Sequence, residues 1–97
     1  MEKILKLNET GSILGLRELA KDLSSHLRNA ISSETNIILD FEDVESISSS
    51  FADELIAKVF VEYGAETFLK MVKIKNANSF IKTIINSSIN ERLNLTK

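Results

Sequence analysis

The sequence predicts an α/β domain in the order β-α-β-α-β-α, a small, mostly parallel sheet of three to four strands packed with about three helices. Three observations predict it. Ile37-Ile38-Leu39 is a short apolar run of the kind that forms a buried strand, and Phe68, Leu69, Met71, Val72 and Ile74 form a second dense run. Around these runs, apolar residues recur at helical spacing. Strands joined by helices need crossover connections, which leave neighbouring strands parallel. A chain of 97 residues makes one domain, residues 1–97, near the lower end of sizes that build their own core.

The first strand spans Lys3 to Leu7, with Ile4 turned inward and Leu5 a second candidate. Asn8-Glu9-Thr10-Gly11 is a turn signal. A helix beginning at Ser12 or its neighbours follows, its apolar set Leu16, Leu19, Ala20, Leu23, Leu27, Ala30 and Ile31. Gly15, a poor helix former, implies an irregular start or close packing there. Ser32 and Ser33 end that helix. Asp40 closes the second strand and opens a polar, acidic connection that runs to Ser48, Ser49 and Ser50. Phe51, Ala52, Leu55, Ile56, Val59, Phe60 and Tyr63 then make one face of a second helix. Serine is a preferred N-cap because its hydroxyl accepts a backbone N–H that the first turn leaves unpaired. Ser50 followed by Asp53 approximates a capping box, and Gly64 is a stop. Thr67 to Ile74 reads as an interior third strand, with Lys73 and Lys75 at its exit. Ala77, Phe80, Ile81, Ile84, Ile85 and Ile89 form a third helix, capped by Asn76 or Asn78, with Leu93 and Leu95 left for a terminal segment. A short strand near Ser12–Leu14 or at the C-terminus would complete the sheet. An edge left open would need cover, for which a homo-oligomer is one solution.

Composition narrows the function classes. Cysteine is absent, which removes disulfides, thiolate nucleophiles and cysteine metal sites. Met1-Glu2-Lys3-Ile4 opens directly into a strand pattern, and no apolar run approaches a membrane span, so the expectation is a cytoplasmic protein without membrane contact. Net charge is only −2, but its distribution is uneven. No basic residue lies between Arg28 and Lys58, where Glu34, Asp40, Glu42, Asp43, Glu45, Asp53 and Glu54 all fall. Beyond Lys70 the balance reverses. An acidic end repels nucleic acid and steers a basic protein surface towards it.

The central stretch also carries a resemblance. Asp40-Phe41, Val44, Ile47 and Ser49-Ser50, running into a helix, resemble the switch segment of the STAS domain found in anti-sigma factor antagonists. In that family an aspartate precedes two serines and a glycine, and the first serine is phosphorylated by an anti-sigma factor kinase. The chain is more similar still to STAS-like relatives of unassigned function, which carry Asp-Phe and then Ser-Ser-Phe-Ala-Asp-Glu. Here these are Asp40-Phe41 and Ser49-Ser50-Phe51-Ala52-Asp53-Glu54, with Gly15 and Arg17 at the start of the upstream helix. Carried over, Ser49 falls on the phosphorylated serine and Ser50 on its neighbour. Ser48 replaces the aspartate and Phe51 replaces the glycine. The resemblance implies a non-enzymatic module that binds a protein partner, an ATP-binding kinase of the anti-sigma class, with Ser49 as phosphoacceptor and no cofactor. Ser48, Ser50, Phe51, Asp53, Glu54 and Asp40 would then be partner contacts.

Each candidate has a plainer reading beside it. Ser49 and Ser50 would cap the helix in any case. Phe51 adds bulk either to the core or to a contact surface. Asp53 and Glu54 lie in a first turn, where negative charge is favoured without any ligand, and no metal-ligand spacing is present. Arg17 is placed to pair with an acid of the switch loop, or else is a solvated surface residue. His26, the only histidine, sits at the edge of an apolar face, and no serine near it in sequence reads as a nucleophile. The alternative function is an assembly domain of the same fold without phosphorylation.

Overall fold

The computed structural model describes residues 2–95; Met1, which the sequence sets ahead of the first strand, lies outside them. Strand β1 (Glu2–Lys6) leads through a 3₁₀ turn (Leu7–Glu9) to β2 (Ile13–Leu14) and helix α1 (Arg17–Ser32). Then come β3 (Asn36–Asp40), β4 (Ser46–Ile47), α2 (Ser49–Ala52), a π-helical turn (Asp53–Ala57) and α3 (Lys58–Tyr63). Helix α4 (Ala65–Met71), β5 (Val72–Lys75) and α5 (Ser79–Leu95) complete the chain. The fold is the α/β arrangement the sequence predicts. The sheet is parallel in the order β1-β3-β5, with the most apolar strand at its centre.

Strand register sorts the side chains onto two faces. Leu5, Leu39 and Ile74 share one row, and Lys3, Ile37 and Val72 the next. These rows face the core cluster, to which Ile37, Leu39 and Val72 belong. The opposite face carries the row Ile4, Ile38 and Lys73 and the row Lys6, Asp40 and Lys75. Ile4 is therefore turned out and 55% exposed, a correction to the inward position that apolar character suggests. Alternation places either Ile4 or Leu5 inward, and Leu5 packs on the core.

Residues 49–63 run as one helical rod through α2, the π turn and α3. Phe51, Ala52, Leu55, Ile56, Ala57 and Val59 are all fully buried. The π turn touches α1 on one side and α5 on the other, so the rod is the centre of the helical layer. Gly64 stops it with φ 88° and ψ 153°, a region that other residues seldom adopt. Asn78 caps α5, its Oδ1 accepting from Ile81 N–H at 2.8 Å.

Three further sequence expectations need correction. Thr67 to Met71 is helix, and only Val72–Lys75 is strand. Phe68 and Met71, three residues apart, are buried while Leu69 between them is 60% exposed, which is the pattern of a helix face. Phe68 also packs on Phe60, ring centroids 5.2 Å apart, tying α4 back onto α3. Second, the short strand at Ile13–Leu14 does not extend the main sheet. It pairs in parallel with Ser46–Ile47 as a separate two-stranded ribbon. Leu93 and Leu95 belong to α5 rather than to a further segment. No helix is long and apolar enough to cross a membrane among the described residues.

Candidate functional site

The ribbon of β2 and β4 delivers the three serines. Ser48 N–H donates to Leu14 O at 2.9 Å, which fixes the chain just past β4. Ser48 is the N-cap, with the extended backbone a cap requires (φ −84°, ψ 162°). Its hydroxyl accepts from Phe51 N–H at 3.0 Å and donates to Gly15 O at 2.8 Å. It therefore ties the rod's first turn to the segment ahead of α1. This corrects the expectation of a Ser50 cap: the helix begins two residues earlier than its apolar period.

Ser49 is exposed and Ser50 half-buried. Neither hydroxyl has a hydrogen-bond partner among the described residues. Both line an open pocket of about 240 Å³, together with Arg17, Asp53, Glu91, Arg92 and Leu95. Ser88 of α5 reaches the same corner, its hydroxyl donating to Ser49 O at 3.4 Å.

Charged groups from three elements meet beside the serines. Arg17 Nη1 donates at 2.9 Å to both Asp53 Oδ2 and Glu54 Oε1. Lys58 adds a 2.9 Å bond to the same Glu54 oxygen. Arg92 holds Asp53 in two-pronged fashion, Nε to Oδ1 at 3.0 Å and Nη2 to Oδ2. Burial by itself would raise the pKa of Asp53, but the hydrogen bonds from Arg92 and Arg17 prevail and hold it below its ordinary value. Glu54 behaves alike: burial opposes its charge, and Lys58 and Arg17 prevail. Both acids stay ionised and internally paired. Arg17 thus finds acids of the rod rather than of the preceding loop.

The remaining predicted residues lie apart from the pocket. Phe51 is fully buried, so its bulk goes to the core and not to a contact surface. Glu54 is only 6% exposed and engaged by two cations, which leaves it little to offer a partner. Asp40 sits half-buried at the carboxyl end of β3. Its Oδ1 accepts from Asn76 Nδ2 at 2.9 Å and from Glu42 N–H at 3.0 Å, and these bonds lower its pKa. It closes a loop. His26 is half-buried, its Nδ1 3.3 Å from Lys3 Nζ. No group of three or more metal-ligating side chains gathers among the described residues.

Sequence reasoning missed Ser88, Arg92 and Leu95. They come from the last turns of α5, about 39 residues beyond the rod positions they meet. No local pattern announces that meeting. Comparison with curated proteins and with solved structures finds no match. Comparison with protein families matches residues 20–82, about two thirds of the chain, from within α1 to the first turn of α5. By that match the chain belongs to the family described as the STAS-like domain of unknown function (DUF4325).

Proposed function

We propose that the domain is a non-enzymatic regulatory module that binds a protein partner through the corner around Ser49, with Ser49 as the phosphoacceptor of an ATP-binding kinase. One observation carries the reading: Ser48 does the capping, so the Ser49 hydroxyl is exposed and makes no hydrogen bond among the described residues. In the transfer, Ser49 Oγ attacks the γ-phosphorus of ATP, its proton passes to a base of the kinase, and ADP leaves. The exposed apolar side chains of Leu16 (72%) and Leu95 (77%) flank the corner and suit contact with another protein.

The assembly alternative has the exposed Ile4 on edge strand β1 in its favour. Single exposed apolar residues are common on surfaces, and Lys3 and Lys6 on the same short strand discourage edge pairing. The switch reading is preferred on that ground. Its test is incubation with an ATP-binding kinase encoded beside it and ATP, followed by mapping of the product by mass spectrometry. One phosphoryl group on Ser49, lost in Ser49→Ala, is the expected result. An unmodified chain whose binding to that kinase is indifferent to Ser49→Asp removes the proposal.

A further inference from the structure

The pairing of α5 with the rod gives the corner a second property. Ser49 and Asp53 are four residues apart on the rod, so they are neighbours on one face. Ser88 and Arg92 are four apart on α5 and meet them in order. Ser88 donates to Ser49 O, and Arg92 grips Asp53 one turn further along. Arg17 closes the other side, 45% exposed, with Nη1 on Asp53 and Glu54 and its Nε and Nη2 left unengaged among the described residues. Around Asp53 and Glu54 stand three cations, Arg17, Lys58 and Arg92, one more than the two carboxylates they neutralise. Glu91 stands on the rim of the pocket with no ion-pair partner among the described residues, so beside the paired Asp53 it is the uncompensated charge that would oppose a further anion.

We propose that Arg17 and Arg92 form a receiving site in cis for a phosphoryl group on Ser49, which draws Arg92 away from Asp53 and fastens the end of α5 to the modified corner. The inference rests on the reading of Ser49 as phosphoacceptor, but not on which enzyme modifies it. A phosphoryl group carries more charge than the Asp53 carboxylate and has three acceptor oxygens. An arginine fork meets such a group with two parallel N–H donors. Asp53 keeps Arg17 for as long as Arg92 is engaged elsewhere, so neither carboxylate of the cluster is left buried without a cation. The phosphoryl group then lies against the protein's own α5 instead of standing free to a partner, and the surface around Leu95 moves with it.

The test uses the full chain with phosphoserine encoded at position 49 during translation, so that no kinase is needed. The second ionisation of an unperturbed phosphoserine falls at about pH 6. By ³¹P NMR it should be lowered by roughly one unit in the folded protein relative to the same chain in urea. Arg92→Gln and Arg17→Gln should each return part of that shift, and Glu91→Gln should deepen it. Arg92→Lys keeps the charge without the fork, and should fall between the native protein and Arg92→Gln. A phosphoryl group that titrates alike in the folded and urea-unfolded chain overturns the proposal. So does a shift that none of the arginine variants alters. Capture seen here, with no kinase found to modify Ser49, would leave this geometry standing and remove only the functional reading.

Discussion

A hydroxyl that caps a helix is not free for chemistry, and the three consecutive serines divide those roles between them. Ser48 accepts from Phe51 N–H and donates to Gly15 O, while Ser49 beside it makes neither kind of bond with its side chain. Ser48→Ala should therefore cost about 0.5–2 kcal/mol, the usual range for a lost cap. Ser49→Ala should stay within about 0.5 kcal/mol, as for a surface substitution away from structural features. Urea denaturation followed by circular dichroism measures both; equal losses would mean that the division is wrong. At this scale the sequence points to the right triplet but shifts the cap by two places. Its first strong apolar signal is Phe51, and a cap is sought immediately before it, whereas Ser49 and Ser50 already lie within the first turn. Phe51 itself is ambiguous in sequence because a large apolar side chain suits a core and a contact surface equally. Its complete burial decides for the core.

Between elements, the ion cluster joins α1, the rod and α5, and it makes their union sensitive to acid. Asp53 and Glu54 have folded pKa values below the ordinary 3.8 and 4.5. The folded state thus binds their protons more weakly than the unfolded chain does. Their contribution is complete above about pH 5.5 and is lost as the pH falls through the depressed values. The urea midpoint should be level from pH 6 to 8 and drop below about pH 4. Asp53→Asn should cost about 1.5–3 kcal/mol at pH 7, the range for hydrogen bonds to charged groups, and should flatten part of the acid fall. What remains comes from Glu54 and from Asp40, whose bonds to Asn76 and Glu42 also lower its pKa. Acid limbs that run parallel in the native and Asp53→Asn proteins would show that the cluster is not the cause. Legibility at this scale varies from element to element. The period of α1 is plain over four turns, and the rod's is nearly so, although nothing in Asp53–Ala57 foretells a π turn. Helix α4 is hidden because Phe68, Leu69, Met71, Val72 and Ile74 crowd a helix end and a strand start into seven residues. A dense apolar run cannot by itself separate those two states. The spacing of Phe68 and Met71, directly after the break at Gly64, was the available sign.

For the whole molecule, the decisive feature is that the helices and the core lie on one face of a three-stranded parallel sheet. Parallel sheets are usually covered on both faces. Here the far face carries Lys6, Asp40 and Lys75 in one row and Ile4, Ile38 and Lys73 in the next, with Ile4 55% and Ile38 5% exposed. Among the described residues, strand β3 is paired on both sides within that sheet, and the rod lies between α1 and α5. Local opening elsewhere can therefore leave those two intact, while their own opening requires the whole fold to come apart. Amide hydrogen exchange followed by NMR should then show its slowest protons at Ile37, Ile38 and Leu39 and at Leu55 to Val59. Helix α4, with five of its seven residues exposed, should exchange faster by opening on its own. The β2–β4 ribbon, two residues to a strand, should do likewise. That ribbon positions Ser48, so its opening would loosen the serine corner without unfolding the core. If the amides of β2, β4 and α4 exchange as slowly as those of β3, the corner is part of the global folding unit, and a partner would meet a rigid surface instead of one that opens locally.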